Sequence, residues 1–220
     1  MGQSEEQVAL LLKGYCLQAK RFDKHESGHG KTPDFRVFND DQFVFFCEVK
    51  NPEENKWLDR QLDEAPPWTI VGGGRPDPIY NRLANRVHEA VKQFDAVNPD
   101  FNYPNALVLM NFDDMSDFED LIAVLTGHLP GLTEDYYPSF YEYSEGRIRE
   151  EKFRIHLYIW IDVFRPQIQF FEVENPFKKR HGKFCLFNTT DSNHTKIFCD
   201  CLKKNFENID QNFFWWAQPL

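Results

Sequence analysis

Residues 43–50 constrain the fold more than any other part of this chain. The first five of these residues are all apolar, and because side chains alternate along a strand, an extended segment would be apolar on both faces. Strands of this kind lie inside a sheet that is covered on both sides. The same segment ends in Glu48 and Lys50, although charged groups are costly to bury without partners. We therefore expect a layered structure with a polar site at the end of a central strand.

A second strand, residues 34–38, comes shortly before the first one. The connection Asn39-Asp40-Asp41-Gln42 has the residue types of a tight turn, so the two strands are predicted to pair as a hairpin. An antiparallel hairpin excludes a purely parallel, doubly wound sheet.

Apolar spacing assigns the remaining elements. Ser4 is the expected N-cap of a first helix that runs to about Ala19. Further helices are predicted at 79–97, 117–126 and 192–208, and further strands at 106–112, 154–163 and 167–173. This order predicts an α/β sandwich around a mixed sheet.

Composition limits the class of protein. The 220 residues are 41% hydrophobic, which suits one large domain, and we expect a core over 1–115 with 116–220 as a C-terminal elaboration of the same domain. No segment approaches the roughly 20 apolar residues of a membrane span, and the acidic N-terminus is unlike a secretory signal. The odd number of cysteines, 5, is typical of reduced thiols, so a cytoplasmic protein without a membrane partner is expected.

The charge balance argues against a general polyanion binder. Lys and Arg total 25 against 35 acidic residues, a net charge of −10. A nuclease is not excluded, because metal ions and a local basic surface can bring a phosphate to an acidic protein. The dense basic segment 178–183 could form such a surface, or it could only solubilise a loop.

The predicted hairpin brings two carboxylates together. Glu48 and Lys50 lie on one strand face, and Asp34 falls opposite either Cys47 or Glu48, depending on a loop of two or three residues. Two close, partly desolvated carboxylates repel unless a proton or a cation neutralises them. A hard divalent ion such as Mg²⁺ fits that need, and Lys50 could hold an attacking water or a phosphate. The alternative is a solvated hairpin whose charges only mark the strand end.

Pro33-Asp34 followed by Glu48-Val49-Lys50 resembles the PD-(D/E)xK nuclease superfamily, and the likeness spans about residues 4–112. The resemblance implies a restriction-endonuclease-like α/β/α sandwich with a mixed central sheet. It also implies a phosphodiesterase that uses Mg²⁺ or Mn²⁺ and acts on nucleic acid, most often DNA, as an endonuclease or exonuclease in defence or repair. In that family the Asp and the Glu bind the metal and the Lys assists the nucleophilic water, so these roles fall on Asp34, Glu48 and Lys50.

The resemblance also suggests two accessory residues. Many members carry an acidic residue on the first helix; Glu5 leads the apolar stripe of that helix, whereas Glu6 points about 100° away. Members often carry a polar residue on the helix after the Lys strand, and Gln93 occupies that position.

Other features are given structural interpretations. Cys185, His194, Cys199 and Cys201 lack the spacing of a zinc site. The terminal aromatic segment 213–216 is expected in the core or in an oligomer contact, so a homodimer or a protein partner stays open. The rival function is a non-catalytic or partner-dependent binding module on the same fold.

Overall fold

Seven strands of one mixed sheet form the centre of this computed structural model, which describes residues 2–23, 32–52, 61, 63–70, 79–113, 116, 118–126, 148–163, 183–187 and 213–216. In chain order and in spatial order these strands are β1 (Leu17–Lys20), β2 (Phe35–Asn39), β3 (Gln42–Lys50), β4 (Asn105–Asn111), β5 (Leu157–Asp162), β6 (Lys183–Phe187) and β7 (Phe213–Trp216). The pairs β3/β4, β4/β5 and β6/β7 are parallel, and the others are antiparallel. The predicted α/β class with a mixed sheet is confirmed.

The sheet is accompanied by the α-helices α1 (Gln3–Gly14), α2 (Ile79–Val97) and α3 (Phe118–Thr126). A 3-10 helix, Glu151–Arg154, leads into β5. The sequence predicted α2 with its observed bounds and placed β3, β4 and α3 to within a residue. The strand predicted at 167–173 and the helix predicted at 192–208 lie outside the described residues.

The helices bury the two sheet faces in separate cores. On one face, Val8 and Leu12 of α1 pack with Phe45, Cys47 and Val49 of β3. The other core lies beneath α2 and α3, and its members include Leu83, Val87, Phe94, Phe46, Leu107, Leu109, Tyr158 and Trp160. Because β3 and β4 are covered on both faces, their continuous apolar sequences are explained, and the central position predicted for β3 is confirmed.

The start of the chain differs from its prediction. Helix α1 ends at Gly14 rather than near Ala19, and Gly2 rather than Ser4 is its N-cap. Cys16 has φ 58°, in the left-handed region that ends a helix, and the chain continues as β1. On a helix, Ala19 would fall on the same apolar stripe as Val8, which is why the pattern alone extends the helix too far.

The hairpin β2–β3 closes with a two-residue turn. Asn39 pairs with Gln42, and both Asp40 and Asp41 have positive φ, as the favoured hairpin turns require. The register shifts two pairs away from the turn: Phe38 faces Phe43, whereas Val37 faces Phe45, so Val44 is an extra, unpaired residue. This β-bulge fixes the alignment of everything beyond it.

No helix within the described parts of the chain is long and apolar enough to cross a membrane. Two cysteines, the exposed Cys16 and the buried Cys47, are free thiols.

Candidate functional site

The hairpin brings Asp34 and Glu48 together at the end of β3. Beyond the bulge Phe35 faces Cys47, so one step further Asp34 faces Glu48. The backbone N–H of Asp34 donates to Glu48 Oε2 at 2.9 Å, and the backbone N–H of Val49 donates to Asp34 Oδ2 at 2.8 Å. Each carboxylate is therefore held by the main chain of the opposite strand.

The bulge at Val44 decides which face Asp34 occupies. With the two-residue turn and no bulge, Asp34 would face Cys47, whose side chain lies in the core beneath α1. The extra residue moves the pairing by one position and turns Asp34 to the face of Glu48 and Lys50. Of the two registers that the sequence left open, the structure has the Glu48 pairing.

Lys50 links this acid pair to helix α2. Its Nζ lies 2.6 Å from Glu48 Oε1 and donates to Gln93 Oε1, also at 2.6 Å. The side-chain amide of Gln93 donates in turn to the carbonyl of Thr32 at 2.9 Å, just before the Pro-Asp step. Glu89 Oε2 lies 4.0 Å from Lys50 Nζ. The structure thus brings four of the five predicted site residues into one hydrogen-bonded cluster: Asp34, Glu48, Lys50 and Gln93.

Glu48 is electrostatically strained. Its side chain is only 2% exposed, whereas that of Lys50 is 17% exposed. Burial, and then the nearby Asp34, raise the pKa of Glu48 from its ordinary value to about 7, although Lys50 acts in the opposite direction. Burial also raises the pKa of the neighbouring Cys47 thiol, with the charges of Asp34 and Glu48 adding to the effect, so Cys47 stays protonated.

A cavity of about 350 Å³ adjoins Lys50. It lies between the first turn of α1, the end of β3 and helix α2, and residues from all three line it: Gly2, Gln3, Ser4, Glu5, Val49, Lys50, Asn51, Arg86 and Phe112. Its walls carry the charged side chains of Glu5, Lys50 and Arg86, so a polar group in the cavity would lie beside Lys50; Asp34 and Glu48 do not line it.

Glu5, the fifth predicted site residue, lies in the wall of this cavity. Its carboxylate accepts from the backbone N–H of Gly2 at 3.1 Å and pairs with Arg21. Glu6 is exposed. Glu5 therefore shares a cavity with Lys50, and its observed partners are a helix cap and an arginine rather than the acid pair.

Asp34 and Glu48 suit a magnesium ion better than they suit a metal ion whose ligands all come from the protein. Within the described residues, no group of three or more His, Cys, Asp or Glu side chains could hold a metal ion. Mg²⁺ keeps several of its waters and often binds through one or two carboxylates together with a substrate phosphate. A nearly buried carboxylate beside a second one also gains from a divalent cation, so the donor set fits Mg²⁺ or Mn²⁺.

Asp113 belongs to a separate cluster. It follows β4, its carboxylate pairs with Arg82 at 3.0 Å, and its N–H donates to Asn111 Oδ1. Two contacts at the main site went unpredicted. Glu89 lies one helical turn before Gln93, so helical spacing could have found it. Thr32 contributes a backbone carbonyl, which no sequence pattern indicates.

Comparison of this chain with protein-family models, with curated proteins and with solved structures gives no match. The function must therefore be inferred from the residues of the chain itself.

Proposed function

We propose that this chain is a metal-dependent nuclease that hydrolyses nucleic-acid phosphodiester bonds, with DNA as the favoured substrate. One observation carries the proposal: two carboxylates are each held by the main chain of the opposite strand, and the lysine that lies 2.6 Å from one of them lines a cavity. Two close carboxylates repel each other and so destabilise the folded protein, and clusters of this kind are typical of functional sites.

Each residue has a role in this proposal. Asp34 and Glu48 would hold a Mg²⁺ or Mn²⁺ ion, which when bound lowers the pKa of its water and stabilises charge on phosphoryl oxygens. The ammonium group of Lys50 would orient the attacking water or the scissile phosphate. Gln93 positions that ammonium group through its 2.6 Å hydrogen bond, and Glu5 is an accessory acid in the cavity wall.

The order of elements supports a restriction-endonuclease-like core over about 1–115. Helix α1, the Pro-Asp hairpin, helix α2 and the buried strand β4 follow one another along the chain, with helices on both faces of the sheet. This order, together with the Pro33-Asp34 and Glu48-Val49-Lys50 segments, is what the proposed likeness to the PD-(D/E)xK superfamily rests on.

The net charge of −10 favours a second candidate, a binding module that acts only beside a partner. A basic partner could supply the attraction for nucleic acid that an acidic chain lacks. Gel filtration with and without nucleic acid separates this candidate from a self-sufficient enzyme.

Cleavage of supercoiled plasmid, linear duplex, single-stranded DNA and RNA tests the proposal, in Mg²⁺, in Mn²⁺ and in EDTA. We expect metal-dependent cleavage by the wild type and a loss of about 100-fold or more in Lys50→Ala and Asp34→Asn, because both groups act at the reacting centre. Lys13→Ala is the matched control: this exposed lysine lies on α1, and its substitution should leave cleavage unchanged. Equal cleavage by all four proteins, or none by the wild type, would overturn the catalytic proposal.

A further inference from the structure

Five aromatic rings gather on the sheet face that also carries Glu48, at the hairpin end of β3. The closest ring centroids are those of Phe43 and Tyr103 at 4.6 Å and those of Phe43 and Phe46 at 4.8 Å. We call this group the aromatic platform; its members are Phe22, Phe38, Phe43, Phe46 and Tyr103.

The aromatic platform is only partly covered. Tyr103 is 45% exposed and stands among the few large exposed hydrophobic residues in the described parts of the chain. Phe38 and Phe43 are half-buried, and Phe46 anchors the group in the core beneath α2. Phe22 and Phe43 pack against that core and are only partly buried.

Two cations lie over rings of the platform. The guanidinium of Arg36 is 4.7 Å from the centroid of Phe22, and Lys20 Nζ is 4.4 Å from the centroid of Phe38. The contact of Lys20 with Asp41 at 3.6 Å joins two well-exposed side chains and is weak. Each cation covers one face of its own ring, so Tyr103 is the most exposed ring of the platform, and the positive charge nearby complements a phosphate backbone.

The platform and Glu48 lie along the same face of β3, with the buried Phe46 between the more exposed rings and Glu48. Phe43 pairs with Phe38 and precedes the bulge, whereas Phe46 and Glu48 follow the bulge and share one strand face. At about 3.3 Å per residue, the platform begins roughly 15 Å from Glu48 along β3.

We infer that the aromatic platform binds the unpaired bases of single-stranded nucleic acid. The inference rests on the proposed function, because it names the form of its substrate. Bases in a duplex already stack on one another, so only unpaired bases can stack on protein rings. Stacking also explains how a chain of net charge −10 could hold a polyanion, because it supplies affinity that does not depend on charge.

The test is a binding measurement in EDTA, where turnover plays no part. The fluorescence anisotropy of labelled 15-nucleotide oligothymidine is compared with that of an abasic strand of equal length and of a 15-base-pair duplex. The full-length wild type should bind oligothymidine at least 10-fold more tightly than the other two. Tyr103→Ala should weaken that binding by about 5- to 100-fold, the range for one lost stacking partner.

Two variants make the result specific. Tyr103→Phe keeps the ring and should retain binding, which separates stacking from loss of the hydroxyl. Leu10→Ala removes another large exposed side chain, 63% exposed on α1, and should leave binding unchanged. Thermal unfolding of each variant controls for folding.

The platform proposal is overturned if the wild type fails to bind oligothymidine, binds duplex or abasic strand equally well, or is unaffected by Tyr103→Ala. The nuclease proposal fails in a different experiment. Single-strand binding without cleavage in Mg²⁺ or Mn²⁺ would retain the platform and reject the enzyme. Cleavage that depends on Lys50, together with binding that Tyr103→Ala does not change, would retain the enzyme and reject the platform.

Discussion

Glu48 is the residue on which the electrostatics of the site depend. It is nearly buried, it faces a second carboxylate, and its nearest cation is a lysine that is also shared with Gln93. A group in this situation destabilises the fold when it ionises, unless further positive charge arrives. The side chains of the site alone therefore do not balance the negative charge of the two carboxylates.

We expect the metal-free protein to lose stability as pH rises through about 7. The pKa of Glu48 is about 7 in the folded state and 4.5 ordinarily, so the folded state binds its proton more tightly than the unfolded chain. The resulting stabilisation is full below the unfolded pKa and disappears above the folded one, and it amounts to at most about 3 kcal/mol. Urea unfolding in EDTA from pH 5 to pH 8 measures it.

Glu48→Gln provides the reference for that measurement. The variant cannot ionise at this position, so the difference between the two proteins isolates Glu48 from the other titrating groups. We expect the unfolding free energy of the variant to increase relative to that of the wild type as pH rises. Parallel stability curves would show that the Glu48 carboxylate does not titrate near neutral pH.

At this scale the sequence predicted a good part of the candidate site. Strand alternation places Glu48 and Lys50 together, and the family resemblance, rather than any spacing, indicated Gln93, which contacts Lys50. Glu5 reaches the cavity but pairs with Arg21, because a strand that the sequence did not predict brings that arginine beside α1. Pairing between distant side chains depends on such packing, which periodicity cannot encode.

Among the elements, the β2–β3 hairpin matters most, and its bulge is the part that the sequence could not predict. The turn residues Asp40 and Asp41 indicate a hairpin, yet the two-residue turn alone would pair Asp34 with Cys47. The bulge at Val44 is hidden within an apolar segment in which each neighbour is also apolar. Strand β1 was missed for a related reason, since its Ala19 would fall on the apolar stripe of α1.

Deleting Val44 should preserve the site. Val44 is unpaired, so every pair from Val37–Phe45 to Asp34–Glu48 can be kept in a regular ladder without it. We expect a loss of about 1–2 kcal/mol in unfolding free energy, because a buried side chain is removed, and cleavage activity close to that of the wild type. Denaturant unfolding and the plasmid assay measure the two quantities. A folded deletion variant without activity would show that the bulge itself shapes the site.

On the scale of the whole molecule, the sheet continues past the boundary drawn at residue 115. Strand β4 pairs with β5 on the far side of that boundary, and Leu107, Val108 and Leu109 are at most 1% exposed. Trp160 and Tyr158 of β5 complete the core beneath α2. The composition indicated one large domain but could not show that its halves share a core.

A fragment of residues 1–115 should therefore fail to fold alone. Without β5, the edge of a fully buried strand and one side of the α2 core would face water. We expect poor solubility and no cooperative thermal transition by circular dichroism, with the full chain as control. A soluble fragment that unfolds cooperatively would establish 1–115 as an independent unit.

The main-chain hydrogen bonds of the acid pair have a practical consequence. The amides of Asp34 and Val49 end on the two carboxylates, so any change in those groups alters the environment of an amide proton. In a ¹⁵N-labelled sample, these two resonances should move early in a Mg²⁺ titration and exchange slowly with deuterium while the hairpin stays closed. Binding of Mg²⁺ at the acid pair could thus be followed by NMR spectroscopy before any substrate is known.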